Sequence, residues 1–165
     1  MYYTFTPFTQ ADRASIQTWH YEEPYNVYNL SSNPEDDLSE MLDRRSPYFA
    51  VRDEQETLVG FFCFGTSAQP WGNDEPCLYN NEGVLDLGLG MHPDMTGRGL
   101  GYSFVNAGLE FAKTQFAPKE FRLYVLTFNK RAIHVYERVG FKRVRVFPQQ
   151  NGHQRREFLE MRRHA

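Results

Sequence analysis

A cluster of glycines gives the first chemical signal in this sequence, because five of the twelve glycines lie between positions 88 and 101. Gly97, Gly99 and Gly101 alternate at the predicted start of a helix, where the lack of side chains leaves the first amide N–H groups open. Those amides and the helix dipole favour an anion such as pyrophosphate. Arg98 adds a side chain that can form a charge-assisted hydrogen bond. A tight strand-to-helix connection is the alternative, but three alternating glycines after a strand favour phosphate binding.

The two common nucleotide-binding loops do not match this cluster. The triphosphate loop G-x-x-x-x-G-K-[ST] needs a Lys-Ser or Lys-Thr pair, and none follows these glycines. The dinucleotide fingerprint G-x-G-x-x-G fails because Tyr102 or Phe104 occupies the third glycine position. The phosphate ligand therefore belongs to another class.

A second segment, residues 129–141, places Asn129, Ala132, Tyr136 and the pair Gly140-Phe141 at a fixed spacing. Asn is a good helix N-cap and Gly suits a helix C-terminus, so local structure accounts for part of the pattern. Local structure does not account for its place one predicted strand downstream of the glycine cluster.

Together these segments resemble the GCN5-related N-acetyltransferase (GNAT) superfamily. Residues 91–101 are similar to its coenzyme A loop, V/I-x-x-x-x-Q/R-x-x-G-x-G/A, and residues 129–141 to its signature N-x-x-A-x-x-x-Y-x-x-x-G-F. Gly99 and Gly101 match, Met91 replaces the β-branched residue, and Thr96 stands where Gln or Arg is usual. The resemblance implies that backbone N–H groups, including that of Thr96, hold the pyrophosphate.

The resemblance implies an α/β protein of the α+β type with the GNAT fold, as a single domain over residues 1–165. Its mixed central sheet has about six to seven strands, antiparallel in the N-terminal part, flanked by about four helices. The implied function is acetyl-CoA-dependent transfer of an acetyl group to a primary amine by direct attack. A non-catalytic acyl-CoA-binding or regulatory module and a protein or peptide N-acetyltransferase are the alternatives.

The implied coenzyme A site follows the chain from strand to helix. The pyrophosphate lies on residues 96–101, the pantetheine arm along residues 89–91, and the thiol near Asn129 and Tyr136. The predicted coenzyme-binding residues are thus Leu89, Gly90, Met91, Thr96, Gly97, Arg98, Gly99, Leu100, Gly101 and Asn129.

The resemblance also assigns roles in the chemistry. Tyr136 protonates the leaving sulfur, since a phenol of pKa ~10 and a thiol near ~8.5 are close enough for that exchange; a core tyrosine is the alternative. The family strand carries a bulge and splays from its neighbour, and Gly88 and Gly90 suit a bulge. The amide of Met91 is expected to polarise the thioester carbonyl.

An ammonium group must lose a proton before it attacks, and Asp86 is the predicted general base. This single carboxylate on an apolar strand has an equally good alternative, which is a surface-facing or salt-bridged residue.

The segment 19–28 is predicted to line the acceptor site, as the corresponding segment does in the family. It holds four large aromatic residues and two carboxylates, which suit a cationic amine. Trp19, Tyr21, Glu22 and Tyr25 are the predicted substrate-binding residues. Aromatic residues covering the edge of the core, with the carboxylates in solvent, are the alternative.

The elements that position these residues follow from periodicity and turn residues. Strands are predicted over 1–8, 48–53, 57–66, 84–91, 121–127, 141–147 and 157–161, and helices over 11–18, 34–45, 99–116 and 130–139. Thr9 is the expected cap of the first helix and Asn33 or Ser32 that of the second. Residues 67–82 are predicted to be an exposed loop, and Asn151-Gly152 a hairpin turn.

Composition excludes several classes of protein. The 165 residues are 41% hydrophobic with a formal net charge of −3, which indicates one globular domain and disfavours a nucleic-acid partner. The five histidines show no paired spacing, so no metal is expected. No membrane-length apolar stretch and no secretory signal are visible, which predicts a cytoplasmic protein. Pairing of two copies through exposed final strands is left open.

Overall fold

The computed structural model describes residues 2–30, 41–45, 47–70, 79–81, 83–151 and 154–165. One mixed sheet dominates them, with the strand order β1-β2-β3-β5-β6-β8-β7 and β4 paired to β5. The strands are β1 (Thr4–Pro7), β2 (Tyr48–Arg52), β3 (Leu58–Phe64), β4 (Tyr79–Asn81), β5 (Val84–Met91), β6 (Glu120–Leu126), β7 (Lys142–Asn151) and β8 (Gln154–His164). The predicted fold class is confirmed.

Three α-helices lie in the described residues: α1 (Gln10–Gln17), α2 (Gly101–Phe116) and α3 (Lys130–Arg138). The predicted cap Thr9 starts α1 with a capping box, in which its side chain and that of Asp12 each accept a hydrogen bond from the other's backbone amide. Asn129 caps α3 by accepting a hydrogen bond on its side chain from the amide of Ala132, at 3.1 Å. Both starts therefore follow from the sequence.

The two faces of the N-terminal half of the sheet bury different sets of side chains. Phe62 of β3 packs with Phe104 and Leu109 of α2, whereas Phe61, one residue earlier, packs against the cluster that contains Ile16 of α1. This alternation follows from the two-residue period of a strand. This half of the sheet is thereby sandwiched between α1 and α2.

A cleft in the sheet arises at the pairing of β5 with β6, which is the only parallel pairing recorded within the described sheet. It begins at Val84 opposite Glu120 and ends after Asp86 opposite Arg122. On its other side β5 stays paired with β3 through Met91. The second half of β5 therefore has a neighbouring strand on one side only, and a cleft opens between β5 and β6.

Several predicted boundaries need correction. Residues 79–81 form β4 rather than part of a loop, and the last two strands are longer than predicted because their cross-strand pairing runs from Lys142 opposite Arg162 to Asn151 opposite Gln154. The predicted helix over 34–45 and its caps fall mostly outside the described residues, as does Gly152 of the predicted hairpin turn. The strand predicted over 84–91 is confirmed.

Candidate active site

The cleft exposes backbone hydrogen-bonding groups of β5. The amide of His92 donates to the carbonyl of Val59 on β3, at 2.8 Å, and Met91 lies opposite Gly60. Because successive residues of a strand turn their N–H and C=O groups to opposite sides, those of Met91 and Leu89 point away from β3. They face the cleft, beyond the point where β6 stops pairing. An extended amide-containing chain can therefore bind there as an added strand.

A cavity of about 780 Å³ fills this cleft. It reaches from the acceptor segment across β5 to the glycine loop and α3. Most of the predicted site residues line it, namely Trp19, Tyr21, Tyr25, Leu89, Gly90, Met91, Thr96, Gly97, Gly99, Gly101, Asn129 and Tyr136. Asp86, Glu22, Arg98 and Leu100 are not among its lining residues.

Two residues of the glycine loop have a backbone conformation that glycine adopts readily. Gly97 and Gly99 have φ values of +69° and +76°, in the left-handed region that favours glycine. Leu100 precedes α2 without a side-chain cap, so the first amides of the helix stay available. Thr96 differs from the expectation, because its amide and its hydroxyl both donate to the carbonyl of Pro93, at 3.2 and 2.7 Å. The amide donors for an anion therefore start after Thr96.

A second cation, Arg131, lies beside this loop in addition to the predicted Arg98. A Cβ placed on Gly97 would lie 3.7 Å from Nη1 of Arg131, and the Arg131 guanidinium lies 4.2 Å from the ring centroid of Tyr25. Arg98 instead directs Nη1 towards the carbonyl of Asp94, at 3.5 Å. Arg131 was not predicted from the sequence as a site residue. The sequence feature that could have indicated it is its position in the first turn of α3, two residues after Asn129.

The bulge predicted in β5 is not found along its described pairing with β3. That pairing keeps one register from Leu87 to Met91 without a shift. The glycines serve close packing instead: a Cβ on Gly90 would lie 2.4 Å from the Phe61 ring, and one on Gly88 would lie 2.8 Å from Sγ of Cys63. The cleft is opened by the divergence of β6, not by an irregularity in this part of β5.

Tyr136 lies at the inner end of the cavity and is 9% exposed. Its ring packs edge-on against Phe141, with centroids 6.1 Å apart. Burial raises the pKa of the Tyr136 phenol, and the nearby Tyr28 raises it further. Within the described residues, no hydrogen-bond partner of its hydroxyl is recorded.

Two hydrogen bonds attach the segment 19–28 to the end of β5 and to the start of α3. The Tyr21 hydroxyl donates to the carbonyl of Met91, at 2.5 Å, and burial raises the pKa of Tyr21 to about 12. The amide nitrogen of Asn129 donates to the hydroxyl of Tyr28, at 3.0 Å. Tyr28 also lines the cavity and was not among the predicted site residues.

Aromatic side chains form one wall of the cavity. Trp19 is 7% exposed and packs against His92, with centroids 4.9 Å apart. Tyr25 and Tyr28 both contact Phe128, at centroid distances of 6.0 and 6.3 Å. Glu22 does not join this wall, because its side chain is exposed outside the cavity lining. The predicted substrate-binding role of Glu22 is therefore corrected.

Asp86 is a structural residue in this geometry. It is fully buried, and both of its oxygens accept hydrogen bonds from Arg122, at 2.6 and 2.9 Å. Gln69 donates to the same carboxylate, at 2.9 Å. A carboxylate held by three donors outside the cavity lining is poorly placed to take a proton from an amine. The geometry favours the salt-bridged alternative over the predicted general base.

No group of three or more His, Cys, Asp or Glu residues is arranged to hold a metal ion within the described part of the chain. Within that part, no helix combines the length and the apolar character that crossing a bilayer requires.

Comparison with known proteins identifies the family of this chain. The profile of the Acetyltransferase (GNAT) family matches residues 13–141. Mycothiol acetyltransferase of Rhodococcus jostii is 37% identical over 95 residues, which are 58% of this chain and 28% of the relative. That of Propionibacterium freudenreichii is 34% identical over 91 residues, 55% of this chain and 26% of the relative. The matches thus span little more than a quarter of these curated relatives.

Solved structures agree on the fold. Spermidine N-acetyltransferase from Vibrio cholerae, in complex with CoA and spermine, superposes with a TM-score of 0.67 and 18% identity over 98% of this chain and 95% of that one. A mutant of the same enzyme gives a TM-score of 0.71 and 19% identity over 98% and 93%. The cleft between diverging strands, the glycine loop and the family profile together show that the chain belongs to the GNAT acetyltransferase family.

Proposed function

We propose that this protein is an N-acetyltransferase that moves the acetyl group of acetyl-CoA directly to a primary amine. The observation that carries the proposal is the cleft beyond Asp86, where β5 turns the N–H groups of Leu89 and Met91 away from β3 and towards an open cavity. A pantetheine arm has amide groups that pair with such an edge.

The coenzyme would bind along the elements that meet at this cleft. Its pyrophosphate fits the start of α2, where Gly97 and Gly99 expose the backbone and the helix dipole favours negative charge. Arg131 supplies a positive charge beside the same loop. Its thioester then reaches the inner end of the cavity, where Met91, Asn129 and Tyr136 lie.

The proposed reaction is a single displacement. The amine nitrogen attacks the carbonyl carbon while the Met91 amide polarises the carbonyl oxygen. The C–N bond forms, the C–S bond breaks, and Tyr136 gives its phenolic proton to the departing sulfur. The proton released by the attacking amine returns through water to the Tyr136 phenolate, since Asp86 is committed to Arg122.

The aromatic wall supports an acceptor that carries an apolar or aromatic portion next to its amine. Trp19, Tyr21 and Tyr25 line this side of the cavity. A peptide N-terminus and a small aromatic amine both satisfy this description. We propose a small molecule with a primary amine as the acceptor on this basis. A peptide N-terminus is the second candidate.

The test is a thiol-release assay of the purified chain with acetyl-CoA and a panel of aromatic amines, amino acids, polyamines and short peptides. Acetylation of at least one amine, confirmed by mass spectrometry of the product, is the expected result. Acetyl-CoA binding by calorimetry without transfer to any amine would favour the non-catalytic module. Absence of binding from a folded sample would overturn the proposal altogether.

Arg131→Gln is expected to weaken acetyl-CoA binding about tenfold, since a hydrogen bond to a charged group contributes ~1.5–3 kcal/mol. Arg98→Gln removes the same charge from the loop itself, and it should weaken binding less because Arg98 points towards Asp94. Calorimetric Kd values for both variants check this prediction.

S-acetylpantetheine, which lacks the pyrophosphate, is the matched ligand for this comparison. Its affinity should be the same for Arg131→Gln and the unmodified protein. Equal losses of acetyl-CoA affinity in the two arginine variants would contradict the assignment of Arg131.

A further inference from the structure

The side chain of Asn129 connects α3 to Tyr28 in an orientation that is fixed by the helix. Its Oδ1 accepts a hydrogen bond from the amide of Ala132, at 3.1 Å, as the N-cap of α3. An amide hydrogen can bond only to the oxygen of the side chain, so the Nδ2 group must lie on the opposite side. From there Nδ2 donates to the hydroxyl oxygen of Tyr28, at 3.0 Å.

This contact leaves the proton of Tyr28 available. A tyrosine hydroxyl has one hydrogen to donate, and here its oxygen is used as an acceptor. Within the described residues, no acceptor for the Tyr28 hydrogen is recorded. Tyr28 lines the same cavity as Tyr136, so this hydrogen is within the proposed site.

Part of the surroundings of Tyr28 offsets the cost of losing its proton. Burial raises the pKa of Tyr28 and the nearby Tyr25 adds to the rise, whereas the hydrogen bond from Asn129 and the positive charges of Arg156 and Arg131 oppose it. At Tyr136 burial also raises the pKa, and no positive charge or hydrogen bond from the described residues opposes it. A proton donor is more effective when its conjugate base is stabilised.

We propose that Tyr28 is a second proton donor of the transfer reaction, acting at the departing sulfur beside Tyr136, and that Asn129 is the positioning residue that holds its oxygen. This role rests on the proposed acetyl transfer. It uses a residue of the acceptor segment, so the segment would contribute to the chemistry as well as to amine binding.

Protons and electrons balance in this step. As the C–S bond breaks, the electron pair goes to sulfur. The sulfur takes a single proton in each turnover: where Tyr28 gives it, the hydroxyl of Tyr136 donates a hydrogen bond to the same sulfur, and where Tyr136 gives it, Tyr28 donates the hydrogen bond. In the first case the Tyr28 O–H proton moves to the thiolate. The phenolate that remains keeps the hydrogen bond from Asn129. It regains a proton through water from the nitrogen of the newly acetylated amine, which has one proton in excess after the attack. No oxidant, reductant or further reactant is needed.

Tyr28→Phe is the first test, measured as steady-state kinetics with an amine that the unmodified protein acetylates. We expect kcat to fall about 10²-fold, the lower end of the range for general acid catalysis. The KM for acetyl-CoA should change less than about twofold, because the aromatic ring is retained. Tyr3→Phe is the matched control: it removes another phenol oxygen, whose contact is with Ser103 and which lies outside the cavity lining.

Asn129→Asp is the second test, because Asp caps a helix as well as Asn but cannot donate a hydrogen bond to Tyr28. Its melting temperature should stay near that of the unmodified protein while kcat falls. In a Tyr28→Phe background, Asn129→Asp should lower kcat much less, because the hydroxyl that Asn129 positions is already absent. A double-mutant cycle on kcat measures this coupling.

The outcomes separate this proposal from the proposed function. If the unmodified protein acetylates an amine and Tyr28→Phe keeps kcat within twofold, Tyr28 is not a donor. Equal effects of Asn129→Asp in both backgrounds would likewise overturn the positioning role. If the unmodified protein transfers no acetyl group, the proposed function fails, and the Tyr28 proposal fails with it.

Discussion

Asp86→Ala is expected to lower the free energy of unfolding by about 3–5 kcal/mol, because it leaves a buried guanidinium without its partner. The carboxylate of Asp86 is fully buried and the side chain of Arg122 is 7% exposed. Two hydrogen bonds of 2.6 and 2.9 Å join them, and they link β5 to β6 at the last paired residues of those strands. The hydrogen bond to Asp86 raises the pKa of Arg122, and an arginine stays charged when that partner is removed.

Urea unfolding followed by circular dichroism measures this loss. Glu110→Ala is the matched control, since it removes a carboxylate from the exposed pair with Lys113 and should cost less than about 1 kcal/mol. Replacing both partners, as Asp86→Leu with Arg122→Met, should restore much of the stability, because no charge is left buried. A loss for Asp86→Ala no greater than that of the control would contradict the structural role of the pair.

The same ion pair shows a feature that the sequence alone could not predict. An isolated Asp on an apolar strand has two interpretations, as a base or as half of an ion pair. The choice depends on whether a cation lies across the sheet. Arg122 is 36 residues away in the chain, and only the parallel register of β5 with β6 brings it opposite Asp86. The residues near position 86 do not determine that register.

Features that depend on residues close together in the sequence were predicted more fully. Thr9 and Asn129 mark helix starts through their own side chains, and both predicted starts are found. The alternating glycines predicted a loop with open amide groups before a helix, and the positive φ values at Gly97 and Gly99 are ones that glycine itself permits. These features are determined by adjacent residues, so the sequence alone was enough to predict them.

The missed residues of the site depend on contacts between distant segments. Tyr28 meets Asn129 across 101 positions of sequence, and Arg131 lies against Tyr25 of the acceptor segment. Glu22 was included because a carboxylate suits a cationic amine, but its side chain is exposed. The aromatic segment could be predicted as a wall of the site, whereas the direction of each side chain could not.

Tyr136→Phe is expected to lower kcat about 10²-fold while the KM for acetyl-CoA changes less than about twofold. Phe retains the ring that packs against Phe141, so the core around it should remain intact. The change removes only the hydroxyl, which is proposed to protonate the departing sulfur. Steady-state kinetics with saturating amine, together with a thermal melt of the variant, check the prediction.

The double variant Tyr28→Phe with Tyr136→Phe distinguishes one proton donor from two. If both hydroxyls act on the sulfur, one as the proton donor and the other as a hydrogen-bond donor, the double variant should lose about the product of the two single losses. If Tyr136 alone is the donor, the double variant should be no slower than Tyr136→Phe. A rate for Tyr136→Phe within twofold of the unmodified protein would remove Tyr136 from the chemistry and leave it as a core residue. The kinetics of the four proteins therefore decide whether one or both of these cavity-lining hydroxyls act on the sulfur.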